Sequence, residues 1–352
     1  MQVFRGFHHP GIAPACALTI GNFDGVHRGH QAMLALLNSE ARHRGLPSCV
    51  MTFEPHPRDY FAGLANEPER APARIATLRD KLGELQRCGI DQAVVLRFDR
   101  AFAAQSPQAF IDDVMVRGLS TRYVLVGDDF RFGAKRAGDM HVLDAAGAVA
   151  GFDVARMNSY EVHGQRVSSS AVRDALAAGD MVGAAGLLGR PYAISGHVVH
   201  GRKLGRSLGA GAAGGADGFR TLNLRFDHPR SAALGIYVVR VHGLGAGANA
   251  RALGGVASLG MRPTVDDSGR VLLETHVLDW PGGPGGLGVE GGYGKIITVE
   301  LLHKLRDETR YDGLPALTAA IEKDVVDARR WLASQTTTLA DEPRRIRSDR
   351  LI

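Results

Sequence analysis

The chain has 352 residues, of which 45% are apolar and 22% are charged, and it carries a net charge of +5 at pH 7. The length favours two domains, and the composition excludes a disordered chain. Three cysteines without a C-x-x-C pair argue against a disulfide scaffold and a zinc site. Because we find no secretory signal and no apolar run of roughly 20 residues, we expect a cytoplasmic protein without a membrane partner.

The first half of the chain alternates short apolar runs with helical patterns. Strands are predicted at ALTIG, SCVMTF, QAVVLRF and RYVLVG. The helical stripes between them comprise Met33, Leu34, Leu37 and Ala41, and then Leu78, Leu82 and Leu85 before a stop at Gly89. Strands that alternate with helices predict a parallel α/β sheet, whose ligands bind beyond the carboxyl ends of the strands.

After about residue 185, strand patterns follow one another without helices between them. GIYVVRVHGL, GGVASLGM, LLETHVLDW and KIITVELLHKL predict a small antiparallel barrel or sandwich. One later helix would place Leu317, Ile321, Val325 and Ala328 on one face. We therefore expect domains over residues 1–185 and 186–335, followed by a polar tail over 336–352 that is predicted to be disordered.

The stretch LTIGNFDGVHRGHQAML joins the first predicted strand to the first helix. His27 and His30 stand three residues apart, so they share one face at a helix N-terminus, where backbone N–H groups favour anions. Gly29 leaves room for a phosphate to approach the backbone. This pattern favours a nucleotide triphosphate site without a P-loop. Two surface histidines by chance and a zinc pair remain as alternatives, although no third zinc ligand stands nearby in the sequence.

Three further segments carry polar groups at predicted strand ends or helix starts. They are TFEPHPRDYF with His56 and Pro57, VGDDFRFGAKRAGD with Asp129 and Arg131, and RVSSSAVRDAL with Ser168, Ser169 and Arg173. A stiff turn and helix capping would explain the first and third segments without a ligand. The three hydroxyls together with an arginine also suit phosphate oxygens.

These motifs resemble one protein family. G-x-F-D-G-V-H-x-G-H, F-x-P-H-P, V-G-x-D-F-R-F-G and S-S-x-x-[IV]-R follow in the order found in the bacterial bifunctional riboflavin kinase/FMN adenylyltransferases, also called FAD synthetases. GHVVHGRKLGRSLG, GVASLGMRPTV, LETHVLDW and VELLHKLRDETRYDGL continue the resemblance through the second half. It covers nearly the whole chain. It implies a Rossmann-like nucleotidyltransferase domain, then a β-barrel kinase domain with a C-terminal helix.

For the first domain, the resemblance implies transfer of AMP from ATP to FMN, giving FAD and pyrophosphate. His27 and His30 would be catalytic, by stabilising the triphosphate and the leaving pyrophosphate. The residues implied to bind ATP or FMN are Gly21, Asn22, Phe23, Asp24, Gly29, His56, Pro57, Asp129, Arg131, Ser168, Ser169 and Arg173. Mg²⁺ would neutralise the triphosphate.

For the second domain, the resemblance implies ATP-dependent phosphorylation of riboflavin to FMN. Glu274 in LETHVL would be the general base, and Thr221 and Asn223 would hold Mg²⁺. The residues implied to bind ATP or riboflavin are Gly196, Gly201, Lys203, Gly205, Thr221, Asn223 and Arg262. The expected partners are therefore small molecules, with no nucleic acid, and the expected assembly is a monomer or a weak homo-oligomer.

The second half departs from the family pattern at several places. A Gly-rich insertion occupies Ala210–Gly218, Arg220 replaces the Pro of the family's P-T-A-N motif, and Ser258 stands where Asn is usual. One alternative is thus an adenylyltransferase whose barrel half serves only as a binding module. Another is a flavin-binding or RNA-binding regulatory protein, supported only by the basic tail. Intact His27, His30 and Glu274 argue against this last alternative.

Overall fold

The computed structural model describes residues 1–162, 164–200, 221–225, 230–245, 251–261, 271–280 and 292–341. The predicted site residues Gly201, Lys203, Gly205 and Arg262 lie outside the described residues, as do the insertion and Arg220. The chain forms two compact units. The α/β unit comprises Met1–Ala175 and Gly183–Arg190, and the barrel unit comprises Leu176–Val182 and Pro191–Ile352.

A parallel sheet of six strands organises the α/β unit, in the order β1-β4-β3-β2-β5-β6. The strands are β1 Gln2–Arg5, β2 Cys16–Ile20, β3 Ser48–Glu54, β4 Gln92–Arg97, β5 Thr121–Gly127 and β6 Asp153–Met157. A short hairpin of β7 Glu161–Val162 and β8 Gln165–Arg166 lies apart from this sheet. Every residue of β2 is buried, because Leu18 packs into the core on one face and Ala17 into the core on the other.

Helices connect the strands of the sheet: α1 Arg28–His43, α2 Pro57–Leu64, α3 Leu78–Arg87, α4 Arg100–Ala103, α5 Pro107–Ala109 and α6 Met140–Ala150. Two more, α7 Ser169–Ala178 and α8 Met181–Leu188, follow the last strand of the sheet. The chain also forms a π-helical segment, Phe110–Gly118, and short 3₁₀ turns at Pro68–Arg70 and Ala134–Arg136. The predicted stripe of α1 is confirmed, since Leu34, Leu37 and Ala41 are buried. In α3, Leu85 is fully buried as predicted, but Lys81 is fully buried as well.

Six antiparallel strands close a barrel within the described part of the second unit, in the order β10-β13-β12-β11-β14-β9. They are β9 Tyr192–Val199, β10 Thr221–Arg225, β11 Gly235–His242, β12 Leu253–Met261, β13 Val271–Val277 and β14 Ile296–Arg306. Helix α9, Leu314–Asp341, packs Val325 and Ala328 against β11 and β12. The predicted barrel and its closing helix are confirmed.

The predicted fold class is therefore correct in both halves. The domain boundaries near residues 185 and 335 stay predictions. So does the tail, of which residues 336–341 fall within the bounds of α9 and the remainder lies outside the described residues. None of the described helices combines the length and apolarity that a membrane crossing requires.

Candidate active site

His27 and His30 meet at the N-terminus of α1, immediately beyond β2. His27 is the N-cap, and its Nδ1 accepts a hydrogen bond from the backbone N–H of His30 at 3.3 Å. The two rings stack with centroids 3.7 Å apart and planes inclined by 15°. Because Nδ1 of His27 is an acceptor, the proton of its neutral ring resides on Nε2. The pair thus presents imidazole N–H groups at a helix N-terminus, as the spacing predicted.

Burial keeps both imidazoles uncharged. It lowers the pKa of His27 to about 4, although the Asp24 carboxylate opposes the shift. Burial, together with the Lys81 charge and with repulsion from His27 when that ring is protonated, places the pKa of His30 well below its usual range. His30 Nδ1 is shielded from solvent and has no hydrogen-bond partner in the described part of the unit. Within that part, no group of three His, Cys, Asp or Glu side chains could hold a metal ion, so the geometry does not favour the zinc alternative.

A large pocket of about 740 Å³, rich in aromatic side chains, opens beyond the carboxyl ends of the central strands. Its aromatic lining consists of Phe23, Phe53, Phe61, Phe98, Phe102, Phe110, Phe130 and Phe132. Four cationic side chains also line it: Arg58, Arg131, Lys135 and Arg136. The predicted site residues found in this pocket are Gly21, Asn22, Phe23, His30, Pro57, Asp129 and Arg131.

A second, more polar pocket of about 250 Å³ adjoins the first. The predicted site residues that line it are His27, Gly29, His30, Asp129, Ser168 and Ser169. The two pockets share His30, Met33, Gly127 and Asp129. Predicted residues that are far apart in the sequence therefore line two adjoining cavities, with His30 in the wall of both.

Gly29 is tightly enclosed beside the second pocket. A Cβ at this position would lie 3.3 Å from both the His27 ring and the carbonyl oxygen of Val167. Any larger residue would therefore push against the histidine and against the chain that leads to Ser168. The structure shows that Gly29 makes room for the His27 ring, and its role in admitting a phosphate stays a prediction.

Asp24 and Arg173 belong to a buried ionic cluster and line neither pocket. The Asp24 carboxylate accepts a hydrogen bond from Arg173 Nη2 at 2.6 Å and from the N–H groups of Ile75 and Ala76 at 3.3 and 3.2 Å. Burial opposes its charge, but the guanidiniums of Arg74 and Arg173 hold the pKa of Asp24 below its usual value. In this structure both side chains thus bind protein groups at positions where the resemblance implied ligand contacts.

His56 is also engaged within the protein. It is the N-cap of α2, and its Nδ1 accepts a hydrogen bond from the N–H of Arg58 at 3.1 Å. Burial lowers its pKa to about 3, with a contribution from the charge of Arg74. His56 therefore holds the start of α2, whose residues Pro57 and Arg58 line the aromatic pocket.

Several lining residues were not predicted from the sequence. Phe98 and Phe102 follow β4, and Arg58, Lys135 and Arg136 lie in or beside the motifs already quoted. Their positions after strands of a parallel sheet were a usable signal, since such loops converge at one edge. The buried Lys81 carried no such signal, because it stands within a helix and not after a strand.

In the barrel unit, the predicted base lies in a row of side chains across three strands. Glu274 on β13 is directly opposite Asn223 on β10 and opposite Ser258 on β12. Asn223 is 3% exposed, and its Oδ1 has no hydrogen-bond partner among the described residues. Thr221 lies two residues away on the same strand, opposite His276. Gly196 lies on β9 beside Leu224 and outside this row.

Comparison with known proteins bears on both halves of the chain. Residues 10–171 match the model of the FAD synthetase family, and residues 188–332 match that of the riboflavin kinase family. A bifunctional riboflavin kinase/FMN adenylyltransferase of Escherichia coli K12 is 44% identical over 333 residues, which cover 94% of this chain and 98% of that protein. The proteins of the same name from Haemophilus influenzae and Pseudomonas fluorescens are 40% and 42% identical, with 95% and 94% of this chain covered and 100% and 97% of theirs.

The chain belongs to the bifunctional riboflavin kinase/FMN adenylyltransferase family. The resemblance predicted from the motifs is thereby confirmed, and so is the enzyme class, a transferase. The FAD synthetase match precedes the riboflavin kinase match along the chain, which is the domain order that the sequence predicted. ATP and flavins are the substrates that fit a family member.

The fold of this family member is also found in a solved structure. A crystal structure from Streptococcus pneumoniae, described as a macrolide-efflux protein, has a TM-score of 0.70 and 26% identity, over 94% of this chain and 100% of that chain. The word efflux describes that protein and is not applied to this chain. Among the described helices of this chain, none is long and apolar enough to span a membrane.

Proposed function

We propose that the chain converts riboflavin to FMN in the barrel unit and FMN to FAD in the α/β unit, with ATP and Mg²⁺ in both steps. One observation carries the second step: an aromatic pocket and a polar pocket adjoin, with His30 lining both. A reaction between two bound molecules requires two such pockets with their reacting ends in contact. The proposal includes small-molecule partners only, a cytoplasmic location, and a monomer or weak homo-oligomer.

The aromatic pocket suits FMN. Its volume of about 740 Å³ is in the range of ligand sites. Phenylalanine rings favour offset or edge contacts with a planar ring system such as isoalloxazine. The cationic groups of Arg58 and Arg131 suit the phosphate of FMN, because guanidinium forms strong, charge-assisted hydrogen bonds to phosphate oxygens.

The polar pocket suits the triphosphate of ATP. The free N–H groups at the start of α1, the hydroxyl of Ser168, and the imidazoles of His27 and His30 are all hydrogen-bond donors. Asp24 and Arg173 would hold the loop that carries these groups, since Ser169 Oγ also donates to the Asp24 carbonyl oxygen at 3.0 Å. The cluster thereby links the start of α7 to the loop before α1.

Adenylyl transfer needs no nucleophile from the protein. An oxygen of the FMN phosphate attacks the α-phosphorus of ATP, and the bond from that phosphorus to the bridging oxygen breaks and releases pyrophosphate. Negative charge grows on the leaving group, and preorganised donors lower the barrier by stabilising it. The neutral imidazoles of His27 and His30 provide such donors, held in place by their stacking and by the N-cap hydrogen bond.

Riboflavin phosphorylation requires a general base. Glu274 takes the proton of the riboflavin hydroxyl, the hydroxyl oxygen attacks the γ-phosphorus, and ADP leaves. The residues present fit Mg²⁺, because the buried Asn223 Oδ1 lacks a hydrogen-bond partner in the described part of the barrel and oxygen is the donor this ion prefers. Asn223 and Thr221 would hold the ion, which would neutralise the charge on the phosphates of ATP.

The test is a time course with purified protein, riboflavin, ATP and Mg²⁺, in which FMN and FAD are separated by chromatography. We expect FMN to appear first and FAD to follow. Conversion of added FMN to FAD without any phosphorylation of riboflavin would favour the alternative in which the barrel serves only as a binding module. Failure to form FAD from FMN would contradict the proposal for the α/β unit.

A further inference from the structure

Lys81 is a fully buried cation that the proposed function does not use. It lies in α3 with 0% of its surface exposed. Its Nζ donates a hydrogen bond to the hydroxyl of Thr52 at 3.3 Å. In the described part of the α/β unit, no carboxylate oxygen lies within 4.0 Å of this ammonium. Burial of an ammonium group destabilises a fold unless a carboxylate or several hydrogen bonds compensate for the lost solvation. A buried cation with one hydroxyl partner is therefore a candidate for a functional role.

The surroundings of Lys81 are ionic but do not neutralise it directly. Burial lowers its pKa to about 8, and the charge of Arg74 adds to this, whereas Glu54, Asp24 and Asp59 raise it. These three carboxylates also face Arg74, at 2.9 to 3.9 Å. Lys81 therefore remains mostly protonated at pH 7, next to anions that bind a different cation.

A chain of two hydrogen bonds connects Lys81 to the floor of the aromatic pocket. Thr52 Oγ1 accepts from Lys81 and donates to the backbone carbonyl oxygen of Asn22 at 3.2 Å. Asn22 lines the pocket beside His30, and its Oδ1 is buried without a hydrogen-bond partner in the described unit. The positive charge of Lys81 also contributes to the low pKa of His30. The ammonium is thus linked through Thr52 to the backbone of the Asn22 loop, and its charge adds to the effect of burial on the pKa of His30.

We propose that Lys81 is a positioning residue for adenylyl transfer, which fixes the Asn22 loop through Thr52 and places a buried positive charge behind the phosphate-binding end of the pocket. The inference rests on the proposed function of the α/β unit. In a water-free interior a charge acts over a longer range than in solvent. The ammonium would therefore favour the negative charge that develops during transfer without touching the substrate.

The test compares Lys81→Met with Arg79→Met, an exposed cation on the same helix. We expect Lys81→Met to lower kcat for FMN to FAD by about 10- to 100-fold. KM for FMN should change less, and Arg79→Met should match the wild-type protein. Riboflavin phosphorylation by the same samples measures the amount of active protein. An NMR titration of the His30 ring without ligands should show its pKa rise in Lys81→Met but not in Arg79→Met, and the fall of kcat with little change in KM separates this role from a general loss of packing.

A second variant covers the case in which Lys81→Met does not fold. Thr52→Val keeps the shape of the side chain and the ammonium but breaks both hydrogen bonds, so kcat should fall by about tenfold. Thr52→Ser should retain the wild-type rate. If wild-type protein makes FAD while Thr52→Val or a folded Lys81→Met keeps the wild-type kcat, the role of Lys81 is overturned and the proposed function stands. If wild-type protein makes no FAD, the proposed function itself fails.

Discussion

The carboxylate of Asp24 and the guanidinium of Arg173 are joined by a hydrogen bond of 2.6 Å between residues that lie 149 positions apart in the chain. Asp24 is 2% exposed, and Arg173 also donates from Nε to the carbonyl oxygen of Ala73 at 2.7 Å. The pair therefore joins three segments: the loop before α1, the loop before α3 and the start of α7. Two of these segments lead into helices whose first residues line the polar pocket.

Removing one partner of this pair should destabilise the α/β unit. We expect Asp24→Asn to cost about 3–5 kcal/mol, because it leaves the buried Arg74 and the largely enclosed Arg173 without this carboxylate. Denaturation followed by hydrogen exchange of the β5 amides measures the effect within this unit. The double variant Asp24→Asn/Arg173→Met should recover part of the loss. The exposed Asp174→Asn on the same helix is the control, and equal losses in both single Asp variants would contradict the assignment.

The histidine pair should matter for one reaction and not for the other. We expect His30→Asn to lower the rate of FMN to FAD by about 10²- to 10³-fold, since it removes a donor that stabilises the leaving pyrophosphate. Riboflavin phosphorylation by the same protein should be unchanged. His43→Asn, at the exposed end of α1, is the matched control. An unchanged rate of FAD formation in His30→Asn would remove this histidine from the mechanism.

The opposite pattern is expected for the barrel unit. Glu274→Gln keeps the size of the side chain but removes the base, so riboflavin phosphorylation should fall by about 10²- to 10⁴-fold. Conversion of added FMN to FAD should continue at the wild-type rate. Glu322→Gln on α9 serves as the control, and both reactions are measured on the same samples by chromatography. Wild-type phosphorylation in Glu274→Gln would show that another group accepts the proton.

The buried His56 predicts how the α/β unit responds to acid. Its pKa is about 3 when folded and 6.5 in the unfolded reference, so between these values only the unfolded chain takes up the proton. The contribution of the neutral His56 ring to the free energy of unfolding is therefore fully present above about pH 6.5 and falls at lower pH. Between pH 7 and pH 5 this group lowers the free energy of unfolding by about 2 kcal/mol.

His56→Asn separates this titration from the structural role of the residue. Asparagine is also a good N-cap, so α2 should keep its start. We expect the variant to lose about 2 kcal/mol less than the wild type when the pH is lowered from 7 to 5. Hydrogen exchange of the β5 amides at both values measures the difference. Parallel losses in the two proteins would mean that His56 does not titrate as a buried neutral group.

Much of the fold could be predicted from local patterns. The continuous apolar run of β2 is typical of a strand that is buried on both faces of a sheet. The apolar stripe of α1 has the helical spacing of a helix that covers one of those faces. The crowded strands of the second half likewise indicated a small antiparallel barrel or sandwich, and the structure has a barrel. Such patterns depend only on residues that are close in the sequence. They therefore predicted the fold class of both units without knowledge of tertiary contacts.

The site was predicted less completely, for a physical reason. Motif residues at strand ends, such as His30 and Asp129, converge because parallel strands share one edge, and the pockets contain them. Whether a charged group faces a ligand or a protein partner depends on distant residues. Asp24 could not be assigned to Arg173, nor Lys81 to Thr52, from spacing alone.

The most direct test of the account uses ATP labelled separately at the α- and γ-phosphates, with riboflavin and Mg²⁺. The account predicts that FMN carries only the γ label and that FAD carries one γ and one α label. In His30→Asn the γ-labelled FMN should accumulate, and Glu274→Gln should incorporate the α label only when FMN is supplied. Absence of the α label from FAD, loss of both labels together in His30→Asn, or failure of Glu274→Gln to transfer the α label to added FMN would contradict two separate transfers at two sites.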